Sequence, residues 1–428
     1  MSRVRIVGGT ITKTSKGATT IEVLDGHFKS TAAKENRWVG DEKGNTYHEY
    51  KAPEKKEEEC VKEIELLTAL DFGSTNDTAN GLNNPGMIFG KTYHFKVKSY
   101  KKGAPKNKGD IKWVLKYHNL SENKWDEILL SSTGDNLKIK MNEEELCGRF
   151  VYVRAYINDK ENEGEFKVWQ HNRFRLLNRK DLKQEIEDRI INSSLIDQGG
   201  SSMCGIAVVG FNFAREQGDA YRKFVLDIHR MGKAKNILTG YELLIDQDEH
   251  LLKYKPTDAK YPLDSNGVKK MTLADFIFLI CIKDNLNVMF DYDPDGPNAG
   301  GTIEGGTGLT LPNEVASIMK NIANYKDVIN DTNLVTSRTR GASIWVKKLQ
   351  DKLNQGYRIG LLIDSDNFSK NKKSTFTIPT HWVGLININS NDSTQLVNVE
   401  VYTWGGTRKW TLSYDVFKDG YFGYIAGK

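Results

Sequence analysis

The sequence predicts a multidomain chain that is all-β in its N-terminal part and α+β in its C-terminal part. Short alternating apolar runs, separated by turn residues, dominate up to about residue 178. Helical patterns follow, and strand-like runs close the chain, the order expected of an α+β domain with an antiparallel sheet. At 428 residues with 38% hydrophobic residues, the chain has material for more than one core.

The elements follow in order. Within residues 1–50, Val4-Arg5-Ile6-Val7 and Thr19-Thr20-Ile21-Glu22-Val23 flank a Thr/Lys/Gly turn region and predict a β-hairpin. Residues 51–85 read as linker-rich. Lys51 to Glu59 is a mixed-charge run, and glycine and asparagine crowd the stretch from Gly73 to Gly90. Over residues 86–178 the runs Tyr93–Ser99, Ile111–Tyr117 and Phe150–Tyr156 alternate, with Gly134-Asp135 and Asn158-Asp159 between them. That spacing predicts an immunoglobulin-like β-sandwich. Residues 179–195 form a highly charged connecting helix. Residues 196–428 form the α+β domain. It has helices over Ile206–Ala214 and Ala220–Met231, from the capping pattern Thr272-Leu-Ala-Asp275, from Pro312, and through Trp345–Leu353. Strands follow over Arg358–Ile363, His381–Ile388, Leu396–Tyr402 and Tyr421–Ala426.

Composition narrows the function. The longest apolar run, Phe276 to Ile282, is seven residues, so no membrane span is expected. The start, MSRVRIVGGT, lacks the apolar stretch of a signal peptide, which predicts a protein made in the cytoplasm. Net charge is +5, and neither half carries the strongly basic footprint of a nucleic-acid binder. Cys60, Cys147, Cys204 and Cys281 form no CxxC pair, so no metal site or cofactor is expected, and the default for each is a buried small hydrophobe.

One cysteine departs from that default. Gln198 lies six residues before Cys204 across a small, glycine-containing turn, and Cys204 opens the helical run Gly205–Ala214. A thiol at a helix N-terminus feels the positive end of the macrodipole, which favours thiolate. A side-chain amide one turn away and the Cys204 N–H can both donate to an oxyanion. The base this chemistry needs is best supplied by His381, at the mouth of the strand His381-Trp-Val-Gly-Leu385. His229 and His250 lack such a setting and read as surface residues.

These residues resemble papain-like cysteine proteases in the broad sense, including the bacterial C39-type peptidases. There a Gln precedes a helix-opening Cys by six residues, and a His begins a later strand. Gln198, Cys204 and His381 match that pattern, as does Trp404-Gly405. The family's third residue, an Asn or Asp, does not match. Thr403 is the best positional candidate for orienting His381, with Asn389, Asp392 and a backbone carbonyl open. In addition, Val4–Lys13, Gly90–Val97 and Leu146–Ile157 resemble front ends of type VI secretion cargo of Bacteroidota. Together the resemblances imply an antibacterial effector, delivered into a target cell without a signal peptide. Its partners would be a protein or peptide substrate, an immunity protein and a component of the secretion apparatus.

Rival readings keep the Cys–His chemistry and change the bond, to a peptidoglycan amidase or a glutamine deamidase. Another makes the chain a non-enzymatic binding protein with a degenerate papain-like domain. Two further motifs are set aside. Asp291-Tyr-Asp-Pro-Asp-Gly296 resembles the start of a calcium loop, but Thr302 stands where a bidentate Glu is needed. The glycine string from Gly300 to Gly308 lacks the Gly-Lys-Ser/Thr of a phosphate loop and is read as a border of the substrate cleft.

Overall fold

The computed structural model describes residues 59–74, 84–199, 201–245, 250–255, 271–286, 310–338, 340–373 and 376–428. Glu58–Lys428 form one compact unit, to which Met1–Glu57 do not belong. The hairpin expected over 1–50, the linker at 51–58, the Asp291–Gly296 loop and the glycine string at 300–308 lie outside the described residues.

Nine strands build the first part: β1 (Val61–Leu66), β2 (Asp71–Gly73), β3 (Asn84–Ile88), β4 (Thr92–Tyr100), β5 (Lys112–Asn119), β6 (Lys124–Thr133), β7 (Asn136–Lys140), β8 (Arg149–Tyr156) and β9 (Gly164–His171). They form a three-stranded sheet, β1-β4-β7, and a six-stranded sheet, β2-β3-β9-β8-β5-β6. Neighbours are antiparallel except β3 and β9, which run parallel. Alternation along β4 sends Tyr93, Phe95 and Val97 inward and His94, Lys96 and Lys98 to solvent. From the other sheet, Trp113, Leu115, Val151, Val153 and Val168 complete one shared core.

Three strands, β1, β2 and the start of β3, fall where a linker-rich stretch is expected. β1 buries Val61 and Ile64, three residues apart, because register shifts between Val61 and Ile64 break the period of two. A bulge of this kind hides a strand from pattern reading. β3 contains Asn84-Pro85-Gly86, turn residues by composition, yet it pairs with both β2 and β9.

The second part opens with α1 (Arg179–Ile191), capped by the Asn178 side chain, which accepts the Lys180 N–H at 2.8 Å. Next come α2 (Cys204–Glu216), α3 (Gly218–Met231) and a short hairpin of β10 (Lys233–Lys235) and β11 (Glu242–Leu244). A buried apolar helix combines α4 (Leu273–Asp275), a π-helical turn at Phe276–Ile280 and α5 (Cys281–Leu286), and α6 (Pro312–Asn321) follows. The remaining elements are β12 (Val328–Thr332), α7 (Ala342–Asn354), β13 (Arg358–Ile363), α8 (Ser365–Lys370), β14 (His381–Asn391), β15 (Leu396–Thr403), β16 (Gly406–Ser413), α9 (Tyr414–Gly420) and β17 (Tyr421–Gly427).

Six of these strands form one antiparallel sheet in the order β12-β17-β13-β14-β15-β16. Apolar side chains on both faces bury it between two layers of helices. Leu362, Trp382, Tyr402 and Phe422 pack toward the layer of α1 to α6. Leu361, Val383, Val401 and Tyr424 pack toward α7, α8 and α9. Helix α2 is buried at every position from Cys204 to Ala214, so it is a central element of its layer.

His229, expected at the surface, is instead fully buried. It sits on α3 among apolar residues, its Nε2 2.9 Å from the Leu177 carbonyl and its Nδ1 3.1 Å from Arg179 Nη1. The amphipathic spacing of α3 places it on the face that packs against the α1 junction, which its polar character conceals. His250 is half-buried, with Nε2 3.3 Å from Asp284.

Candidate active site

Cys204 is the first residue of α2, where the helix leaves backbone N–H groups without intrahelical acceptors. The residue after it must be glycine for steric reasons. A Cβ at Gly205 would lie 2.6 Å from Val315 Cγ2 and 2.8 Å from Thr310 Cγ2. The N-terminus of α2 is thereby pressed against Thr310, just ahead of α6.

From the sheet side, β14 brings its first two residues to the same place. The Trp382 N–H donates to Cys204 Sγ at 3.3 Å, and the Trp382 indole N–H donates to the Thr310 carbonyl at 3.0 Å. His381, one residue earlier, is buried with Nε2 2.6 Å from Thr403 Oγ1. The ring also stacks on Trp404, with centroids 4.3 Å apart and planes within 8°. Trp404 has a φ of 45°, in the left-handed region that bulky residues avoid, and the following Gly405 has a φ of 67°. This turn thus holds an aromatic ring flat against His381 at a backbone cost.

The Gln198 loop closes a third side. Tyr402, which stacks on Phe211 of α2, donates its hydroxyl to the Ile196 carbonyl at 2.5 Å. The Asp197 carboxylate accepts the Gly199 N–H at 2.9 Å and lies against Gly405, where a Cβ would come within 2.9 Å of it. The Gln198 amide donates to the Ser201 carbonyl at 2.7 Å, and Ser201 Oγ donates back to the Gln198 carbonyl at 2.6 Å.

The four sequence-derived residues therefore occupy neighbouring elements, with distinct local bonds. Thr403 contacts His381 directly. Cys204 Sγ is bonded to the backbone beside His381, and among the described residues no hydrogen bond joins it to the His381 ring. Gln198 turns its amide into its own loop. Asn389 and Asp392 lie farther along β14 and in the turn after it, where Asn389 Oδ1 accepts from the Asn398 amide and the Asp392 carboxylate accepts from the Tyr414 hydroxyl, and neither bonds His381. Asp197, Tyr402 and Trp382 were not among the sequence candidates. The close approach of Asp197 to Gly405 is a tertiary contact with no local signature.

Electrostatics set the resting protonation. Burial pushes the Cys204 thiol up to about 11, although N–H groups of Trp382, Gly205 and Cys204 itself pull the other way. Burial also pushes His381 down to about 3. The helix terminus thus favours thiolate as expected, but desolvation outweighs it. At neutral pH the pair rests as neutral thiol and neutral imidazole. With Nε2 at Thr403, Nδ1 is the ring nitrogen left for proton transfer.

A cavity of about 270 Å³ adjoins His381 and Trp382, walled mainly by Leu311, Pro312, Leu334, Leu362, Ile378 and Pro379. A larger open groove of about 760 Å³, between α7 and β14, is lined by Asp392 but by none of Gln198, Cys204, His381 and Thr403. Among the described residues no group of three His, Cys, Asp or Glu side chains could hold a metal ion, and no helix is long and apolar enough to cross a membrane. No protein-family model matches the chain, and no curated protein matches its sequence.

Proposed function

We propose that the chain is a cysteine hydrolase acting on peptide or amide bonds, with Cys204 as nucleophile and His381 as general base and acid. The observation that carries this reading is the meeting of Cys204, at the start of α2, with the first residues of β14. There Sγ accepts the Trp382 N–H while Thr403 and Trp404 fix the adjacent His381 ring. In family terms, the β-unit is read as immunoglobulin-like and the α+β unit as papain-like.

Starting from two neutral groups, His381 Nδ1 takes the thiol proton as Sγ attacks the carbonyl carbon. The negative charge moves to the carbonyl oxygen, where the Cys204 N–H and a reoriented Gln198 amide donate. Collapse expels the amine, which takes the proton from His381. Water, deprotonated by His381, then releases the acyl group and restores the thiol. The apolar cavity beside His381 favours a polypeptide substrate presenting an apolar side chain. This supports a protein target over peptidoglycan or a lone glutamine side chain.

The wider role is read as that of an antibacterial effector carried by a type VI-like secretion apparatus, with an immunity partner in the producing cell. Full burial of Cys204 and its raised thiol favour one rival, a degenerate domain that binds without catalysis. Expressing the full chain in a bacterial cytoplasm, and separately with a periplasmic signal, discriminates them. Growth arrest confined to the cytoplasm and abolished by Cys204→Ala is expected. Equal toxicity of the Cys204→Ala chain would overturn the hydrolase reading, and arrest only in the periplasm would overturn the protein target.

A further inference from the structure

A buried ion pair stands directly behind the Gln198 loop. Asp275, on α4, is 1% exposed, and Arg189, on α1, is 4% exposed. Arg189 Nε donates to Asp275 Oδ1 at 2.8 Å and Nη2 donates to Oδ2 at 2.6 Å, a two-pronged pairing that fixes both planes. The Thr272 hydroxyl donates to Oδ2 at 2.8 Å, while Arg189 Nη2 also donates to Thr272 Oγ1 at 2.7 Å. Arg189 Nη1 donates to the Glu185 carbonyl at 3.0 Å.

One acceptor direction of Asp275 leaves this cluster. Oδ2 takes the backbone N–H of Asp197 at 3.1 Å, one residue before Gln198. The same loop is held from the opposite side by Tyr402, whose neighbour Thr403 bonds His381. The Asp197 side chain in turn abuts Gly405, next to the Trp404 ring on His381. The loop is therefore clamped between the sheet that carries the histidine and a buried carboxylate that an arginine keeps in place.

Burying two charges is a costly way to gain stability, since an apolar pair of similar volume usually serves as well. An apolar pair cannot accept the Asp197 N–H. We propose that Asp275, oriented by Arg189, is a positioning residue that fixes the Gln198 loop for oxyanion binding. Helix α1, expected only to connect two domains, is then part of the catalytic unit. The inference rests on the hydrolase reading above.

The test uses the full chain, with p-nitrophenyl acetate as an activated acyl donor and iodoacetamide as a probe of the thiol. Acyl transfer passes through a tetrahedral oxyanion, whereas alkylation displaces iodide and forms none. Asp275→Asn removes the charge, and Arg189→Leu/Asp275→Leu removes both charges while keeping an apolar fill, so the double variant carries the test where the single one fails to fold. A folded variant is expected to lose about 10-fold to 100-fold in kcat with little change in KM, the cost of a misplaced site element. Its Cys204 alkylation rate is expected to stay within about two-fold of wild type, since that step needs no oxyanion donor. A folded double variant with wild-type kcat overturns the positioning role, as does an equal fall in alkylation and turnover, which marks general disruption. Unchanged esterase turnover in Cys204→Ala overturns the hydrolase reading itself, a distinct result.

Discussion

Thr403→Val probes the contact that determines which nitrogen of His381 carries a proton. Valine keeps the shape of threonine and removes the hydroxyl, so no cavity accompanies the change. Thr403 is 2% exposed and His381 5%, so water cannot replace the lost partner without opening the site. In the tautomer that the proposed mechanism requires, Nε2–H donates to Thr403 Oγ1, 2.6 Å away, and valine would leave that donor buried and unsatisfied, a penalty of about 1–3 kcal/mol. Moving the proton to Nδ1 relieves the donor but removes the base, because Nδ1 is the nitrogen left for Cys204. At about 1.4 kcal/mol per tenfold, the same penalty lowers turnover by roughly 5-fold to 150-fold if it falls on the reactive tautomer. Urea midpoints give the stability change, the p-nitrophenyl acetate burst gives the rate, and ring nitrogen shifts give the tautomer. Wild-type turnover, with a midpoint shift equivalent to less than about 0.5 kcal/mol, would refute an orienting role for Thr403.

Other outcomes follow from the same geometry. His381 and His229 are both pushed down to about 3 by burial, so the unfolded chain takes up protons below pH 6.5 while the folded chain does not. Stability is therefore full above about pH 6.5 and lost as pH falls toward 3, by up to about 1.4 kcal/mol per pH unit for each histidine. Urea titrations at pH 6, 5 and 4 should show the slope, and His381→Ala should remove one histidine's share of it. The acid limb of kcat/KM should likewise lie well below the ordinary imidazole range, and a limb near 6.5 would contradict a buried neutral base. Gly205→Ala drives a methyl into Val315 and Thr310, costing about 1–3 kcal/mol and disturbing the start of α2. Calorimetry should find it less stable than wild type, whereas a neutral change would contradict the tight contact.

Much of the layout was legible because burial periodicity is local. The capping pattern at Thr272 places a real N-cap, with Thr272 Oγ1 accepting the Asp275 N–H at 3.3 Å. Pro312 opens α6, and β13, β14, β15 and β17 begin within a residue of their apolar runs. What escaped reading depends on distant partners. β16 carries Arg408-Lys409 ahead of Trp410 and Leu412 and becomes a strand by pairing with β15. The π-helical turn at Phe276–Ile280 is a geometric adjustment within a uniformly apolar run, where no periodicity marks it. Motif spacing singled out Cys204, His381, Gln198 and Thr403, which fold onto neighbouring elements. It could not foresee that desolvation would outweigh the helix terminus at the thiol, because burial belongs to the whole packed layer.

The most direct measurement is acyl trapping on the full chain with p-nitrophenyl acetate, quenched in acid during the first turnover and mapped by peptide mass. Exposure alone would direct modification to the half-exposed Cys60 and to surface lysines, since Cys147, Cys204 and Cys281 are all buried. One acetyl group per chain is expected on Cys204, formed rapidly in wild type and lost in His381→Ala. Acetylation that avoids Cys204, or that reaches it equally fast without His381, would contradict a Cys204 nucleophile activated by His381.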